Sequence, residues 1–178
     1  MRKSLFLAAL AAAPLWAAGE LSNRRAPGFS LPDSALKQHD LADYRGKVVV
    51  LEVMLTTCPH CAKFAPILEE VARKLAGRVQ VLTIVNPPDT TGTVVKFIKD
   101  HKLSYPVLFD CGQVAASYMR ASLERPSFDI PHLFLIDANG VIRNDFGYSV
   151  LTLGIFEGKG LMAEVEKLLA PPAAPKKK

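Results

Sequence analysis

The chain has 178 residues, of which 49% are hydrophobic and 22% charged, with a formal net charge of +5. That length supports one domain with a sizeable core and excludes two full ones. The excess charge sits at the ends, in Arg2 and Lys3 and in Lys176 to Lys178, and the other lysines are dispersed with no aromatic or basic stripe, which excludes a nucleic-acid surface.

In chain order, Met1 to Ala18 carries Arg2 and Lys3, the apolar run Leu5 to Ala13, then Pro14 and small residues, the pattern of a secretory signal. Cleavage is expected near residues 17–19, where Ala17-Ala18-Gly19 and Leu15-Trp16-Ala17 both fit a small-x-small rule. An uncleaved N-terminal membrane anchor is the alternative, and no cysteine stands near the run to take a lipid. The expected location is periplasmic or secreted, with one domain over 19–170 and a disordered Pro/Ala/Lys tail over 171–178.

Glu20 to Pro27 reads as an exposed lead-in. Phe29, Leu31, the turn Pro32-Asp33-Ser34, Leu36 and Leu41 predict a small N-terminal hairpin. Asp43 to Lys47 is a turn into Val48 to Leu55, a β-branched run broken only by Glu52, as in a strand covered on both faces. Phe64, Ile67, Leu68, Val71 and Leu75 recur at helical spacing, which predicts a helix from Pro59 to about Ala76, stopped by Gly77 and kinked at Pro66.

Val79 to Val85 is the next strand, followed by a helix over Thr91 to His101, a short strand Val107 to Phe109 and a weak helix Gln113 to Met119. Ser122 to Asp129 is a polar loop. His132 to Ile136 and Val141 to Phe146 flank Asp137-Ala138-Asn139-Gly140, a hairpin in which Asn-Gly is expected to supply the positive φ angles. A last helix is expected from about Gly160 to Leu169. Strands alternating with helices, then a closing hairpin, give an α/β fold with a sheet of mixed direction.

Chemistry concentrates in Thr57-Cys58-Pro59-His60-Cys61-Ala62. Two thiols at this spacing can close a disulfide across the first turn of a helix, where free N–H groups and the dipole favour a thiolate on Cys58. As a staple the pair is poor, because closing a loop of about four residues contributes only roughly 2 kcal/mol. As a switch it is good, because the second thiol stays within reach of a mixed disulfide.

With these residues in view, the chain resembles the thioredoxin-like superfamily, and most closely its exported TlpA/ResA-like thiol–disulfide oxidoreductases. The resemblance rests on Ala26-Pro27-Gly28-Phe29-Ser30-Leu31, Tyr44 to Val50, Cys58-Pro59-His60-Cys61, and Ile130 to Asp137 with Gly140, and it covers Ala26 to Leu169. It implies a thioredoxin-like fold with a mixed central sheet flanked by helices, an N-terminal hairpin and a central insertion between Cys58 and Pro131. It also implies a monomer that exchanges disulfides with protein thiols and with an upstream redox partner, without cofactor or metal.

By the resemblance, Cys58 is the attacking thiolate and Cys61 resolves the mixed disulfide. Pro131 becomes a cis proline facing the disulfide, and the Ile130 backbone offers an extended substrate a place to pair. Thr57 stands where the family often has Trp, which bears on substrate preference. Pro59-His60 is the dipeptide of the oxidising DsbA, and a His60 beside the Cys58 thiolate stabilises the reduced form. The span between about −270 mV for thioredoxin and about −120 mV for DsbA is worth about 7 kcal/mol for two electrons, so the expected potential is more oxidising than thioredoxin's. Glu52, six residues before Cys58, is either a buried acid that takes the Cys61 proton or a strand-edge glutamate in solvent.

The remaining candidates are given ordinary roles. His132 is expected on the sheet surface, His39 and His101 on the protein surface, and Cys111 as a partly buried free thiol. A thiol-dependent peroxidase of the peroxiredoxin type needs Thr three residues before its reactive Cys, where Leu55 stands, and a c-type haem needs His where Ala62 stands. Structural zinc lacks a second ligand pair. The alternative from another class is a copper-binding metallochaperone, with Cys58, Cys61 and His132 as soft ligands for Cu(I). That related family places three residues between its cysteines, not two.

Overall fold

The structure, a computed structural model, describes residues 19–121 and 129–170. The expected signal segment, the tail and positions 122–128 of the expected polar loop lie outside the described residues.

Two parallel strands form the centre. β4 (Val48–Met54) and β5 (Val79–Val85) are apolar on both sides, as the sequence requires of strands covered by helices, and pair in register from Val48 with Val79 to Met54 with Val85. Around them, β1 (Arg24–Arg25), β6 (Val107–Phe109), β7 (His132–Ile136) and β8 (Val141–Gly147) complete one sheet in the order β1-β8-β7-β4-β5-β6. β6 is parallel to β5, while β7, β8 and β1 run antiparallel to their neighbours, so the sheet is mixed. β2 (Ser30–Pro32) and β3 (Gln38–Asp40) form the expected N-terminal hairpin outside that sheet.

Helix α1 (Pro59–Lys74) follows β4, α2 (Thr91–His101) follows β5, and α3 (Gln113–Met119) follows β6. The chain closes with α4 (Leu153–Phe156) and α5 (Leu161–Leu169). Phe64, Leu68 and Val71 of α1 lie against Val48, Val50, Leu133 and Leu135, with Ile155, Leu161 and Val165 from α4 and α5 on the same face. Each such side chain contributes about 1.5–3 kcal/mol by leaving water. On the opposite face, Val49, Leu51, Val53 and Phe134 meet Phe29, Leu41 and the α3 residues Val114, Ala115 and Tyr118. A third cluster lies at the carboxyl ends of β4 and β5, where Met54 and Val85 meet Cys61 and Ala65 of α1 and Val94 and Phe97 of α2. Ligand sites in open α/β sheets form at that end of the strands.

Several sequence expectations are corrected. The lead-in is not wholly exposed: Arg24 and Arg25 pair with Ile142 and Val141 as the edge strand, and Ala26 is buried. Arg24 also reaches back through Nε to the Leu21 carbonyl at 2.8 Å. The turn before β4 contains a 3-10 helical turn, Leu41–Tyr44, capped by the Asp40 side chain. Helix α1 ends at Lys74, two residues short of the expected Ala76, with Pro66 inside it as expected. In the β7–β8 turn only Gly140 takes a positive φ, of 75°. Asp137 supplies the rest, its Oδ1 accepting the Asn139 and Val141 N–H groups at 2.9 Å each, so Asn139 needs no left-handed conformation.

His39 is not on the surface. It is 4% exposed and locked in the hairpin, with Nδ1 2.7 Å from the Tyr44 hydroxyl and Nε2 3.0 Å from Asp33 Oδ2. His39→Ala is expected to cost about 2 kcal/mol, because it breaks both bonds and leaves their partners half-covered. Urea unfolding of the variant beside the wild type checks this.

Candidate active site

The turn from β4 into α1 places the two cysteines in unlike surroundings. Cys58 is the N-cap of α1, with extended backbone (φ −79°, ψ 118°) and Pro59 at the first helical position, where a missing N–H costs nothing. Its sulfur accepts the Cys61 N–H at 3.3 Å, taking one of the amides that a helix start leaves without a partner. Cys58 is half-buried, while Cys61, one turn along, is fully buried; all three cysteines are free. Cys111 is exposed rather than partly buried, because Asp110 beside it turns inward to cap the amides of Gln113, Val114 and Ala115.

Burial pushes the Cys61 thiol far up, and the charge of Glu52 and the contact with Cys58 push it further. Glu52 is itself 1% exposed, which excludes the strand-edge glutamate in solvent. Desolvation raises its carboxyl to about 8, against a partial offset from the Thr83 hydroxyl, which donates to Oε2 at 3.1 Å. Oε1 has no hydrogen-bond partner among the described residues. A buried acid half-satisfied in this way is poised to gain or lose a proton near neutrality. Tyr105, also buried, is raised by desolvation and by Glu52, and its hydroxyl donates to the Ala65 carbonyl of α1 at 3.4 Å.

Around the cysteine turn, the Cys58 N–H donates to the Leu55 carbonyl at 3.1 Å. The Thr56 N–H donates to Asp89 Oδ2 at 2.9 Å and the Thr56 hydroxyl to Asp89 Oδ1. Asp89 therefore ties this turn to the start of α2. Thr57 and Pro59 are exposed. His60 is exposed too, and its ring stacks on Tyr148 with centroids 4.1 Å apart and planes 27° from parallel.

The Ile130–Pro131 peptide is cis, and Pro131 immediately precedes β7, whose first residue His132 pairs with Val53. Pro131 thereby lies at the level of Met54, the last residue of β4, and Ile130 packs in the same apolar cluster as Cys58 and Cys61. The structure brings together Cys58, Cys61, Glu52, Ile130 and Pro131, with Thr57, Pro59 and His60 on the outer side.

His132 does not join them. It is 7% exposed instead of lying on the sheet surface, on the sheet face shared with Phe134, opposite the face that α1 covers. Its Nε2 stands 3.5 Å from Asp145 Oδ2, an ion-pair separation, and makes no hydrogen bond among the described residues. Burial alone would raise the Asp145 carboxyl; His132 and the Ser22 hydroxyl outweigh it and hold the carboxyl below its ordinary range. The sheet therefore separates His132 from the sulfur pair that the copper reading would join to it. His101 is half-buried against the ring of Phe97, with centroids 4.4 Å apart.

Sequence reasoning missed Thr83, Tyr105, Asp89 and Tyr148. Of these only Thr83 left a usable signal, as a polar residue inside an apolar strand.

The AhpC/TSA family model matches residues 23–145, a span that includes both cysteines, Glu52 and Pro131. The chain belongs to the AhpC/TSA family. Among curated relatives, the thiol-disulfide oxidoreductase ResA of Geobacillus kaustophilus is 32% identical over 119 residues, covering 66% of this chain and 64% of its own length. The thioredoxin-like protein YneN of Bacillus subtilis is 26% identical over 128 residues, 71% of each chain. This AhpC/TSA chain spans about 65% of the length of the Bacillus ResA proteins it matches.

Among solved structures, a Chlorobium tepidum protein assigned as thiol:disulfide interchange protein DsbE superposes with a TM-score of 0.70. It is 25% identical, with 84% of this chain and 98% of that one covered. The fold is thioredoxin-like. Peroxidoxin BcpB of Mycobacterium tuberculosis shares that fold as well, with a TM-score of 0.66, 22% identity and coverage of 85% and 98%. A fold shared by proteins of both names does not itself select the chemistry.

Proposed function

We propose that the chain is a thiol–disulfide oxidoreductase that exchanges disulfides with protein partners through Cys58 and Cys61. The observation that carries this reading is the asymmetry of the pair: one sulfur at the accessible start of a helix, the other fully buried in α1 over the strand that carries the buried Glu52. The names of the ResA relatives point the same way.

In the oxidative half-reaction the Cys58 thiolate attacks one sulfur of a partner disulfide, forming the mixed disulfide and releasing the other partner sulfur as thiolate. Cys61 gives its proton to Glu52 and attacks the Cys58 sulfur, which expels the second partner thiolate and leaves the Cys58–Cys61 disulfide. Two electrons pass from the dithiol to the partner; reversal oxidises the partner instead. Burial keeps Cys61 protonated until the mixed disulfide forms, which prevents both sulfurs from competing for the partner. His60, two residues after Cys58 on the outer side of the turn, is the side chain offered to the Cys58 sulfur, while Ile130, Pro131 and Thr57 form the surface on which an extended partner segment lies. The signal-like N-terminus and the redox pair together favour a periplasmic or secreted location, with an upstream redox partner that resets the pair. Nothing in the site favours Cu(I) over exchange.

Equilibrating the protein with glutathione buffers and quantifying free thiols by alkylation tests the proposal. The expected result is one two-electron couple lost in Cys58→Ser, with a potential above about −270 mV, the thioredoxin value. Stoichiometric Cu(I) binding without any such couple would overturn it.

A further inference from the structure

Tyr148 lies outside every motif that identified the site, yet it touches both halves of it. Its ring is the surface on which His60 stacks, at 4.1 Å between centroids. Its backbone N–H donates to the Pro131 carbonyl at 3.2 Å. Its position is fixed from behind: it directly follows the end of β8 and meets Phe156 of α4 edge-on, with centroids 5.3 Å apart. The turn that follows is closed by Thr152, whose hydroxyl donates to the Gly147 carbonyl at 2.5 Å and accepts the Ser149 N–H at 3.0 Å. His60, Tyr148 and Phe156 share a pocket of about 140 Å³ with Lys63, Leu153 and Glu157.

An exposed histidine in the first turn of a helix has no reason of its own to keep one rotamer. The stack supplies one, and the phenol face attracts an imidazolium more than a neutral ring. We propose that Tyr148 is a positioning residue for the exchange reaction: it fixes the ring of His60, two residues after Cys58 in the first turn of α1, and couples it to the Pro131 turn on which the partner segment lies. The inference rests on the thiol–disulfide reading above. Because the two contacts come from one residue, the His60 ring and the partner-binding turn keep a fixed relative position.

The test uses the full chain and three variants, Tyr148→Phe, Tyr148→Leu and His60→Ala, with the double variant Tyr148→Leu/His60→Ala. The Leu variant keeps apolar volume against Phe156 while removing the π face. The first readout is the equilibrium constant for protein disulfide plus two glutathione giving protein dithiol plus glutathione disulfide. The second is the chemical shift of the His60 ring protons, which an aromatic ring overhead displaces.

Tyr148→Phe is expected to keep both values. Tyr148→Leu is expected to remove the ring-induced shift and lower the constant about three- to fivefold, as His60→Ala does, with the double variant no lower than His60→Ala alone. A Tyr148→Leu constant equal to wild type while His60→Ala lowers it would overturn the proposal, as would full additivity in the double variant. A wild-type His60 ring with no displaced resonance would overturn it without any variant. Failure of the underlying reading looks different: the wild-type cysteines would then show no glutathione couple at all.

Discussion

Replacing Cys61 by alanine is expected to convert the protein from a catalyst into a trap. The variant keeps Cys58 at the accessible N-cap of α1 but loses the sulfur that would displace the partner, so mixed disulfides should accumulate on Cys58. Turnover should fall by about a thousandfold or more, because an intramolecular attack across one helical turn is replaced by attack from dilute external thiol. Cys58→Ser should form no adduct. Cys111→Ser should behave as wild type, and this control is needed because Cys111 is exposed. Mass spectrometry of proteolysed adducts with a disulfide-bearing peptide locates the bond. Adducts on Cys111 in place of Cys58 would show that the nucleophile has been misassigned.

The architecture around that turn was legible because the sequence states its periods plainly. The seven-residue run from Val79, the helix that begins at Thr91 and the short strand from Val107 all fall where apolar spacing places them. The elements that escaped are those whose formation depends on distant residues. β1 has two arginines and no hydrophobic alternation, and becomes a strand because β8 presents an open edge. α4 spans four residues and is held by burial of Ile155 and Phe156 against α1.

The same division holds in the site. The sulfur pair announces itself by spacing, whereas the environment of Glu52 required the register of two strands. Glu52 and Thr83 are each the fifth residue of a seven-residue strand, and in-register parallel pairing sets them side by side. Alignment of the two runs would have found the pair. His132 and Tyr148 could not have been found that way, since the first depends on Asp145 across a hairpin with a register shift and the second on a loop that folds back over α1.

The register also predicts how stability and resolution answer to pH. In the unfolded chain Glu52 titrates near 4.5, and in the folded protein near 8. Between those values the folded state holds a proton that the unfolded state does not, so stability is full below about pH 4.5 and declines as pH rises towards 8. At about 1.36 kcal/mol per pH unit, the loss across that window is on the order of 5 kcal/mol. Glu52→Gln removes the titration and keeps a group able to accept from Thr83. Urea unfolding should therefore show the variant nearly unchanged at pH 4.5 and more stable than wild type by several kcal/mol at pH 9. The catalytic consequence runs the other way. Cys61 needs a base to become nucleophilic, and Glu52 acts as one only in the fraction that has lost its proton, so resolution should quicken through about pH 8 in the wild type. In Glu52→Gln it should be about a hundredfold slower at that pH. A variant that gained stability at high pH yet resolved mixed disulfides at the wild-type rate would leave Glu52 as a buried structural acid and would require another base for Cys61.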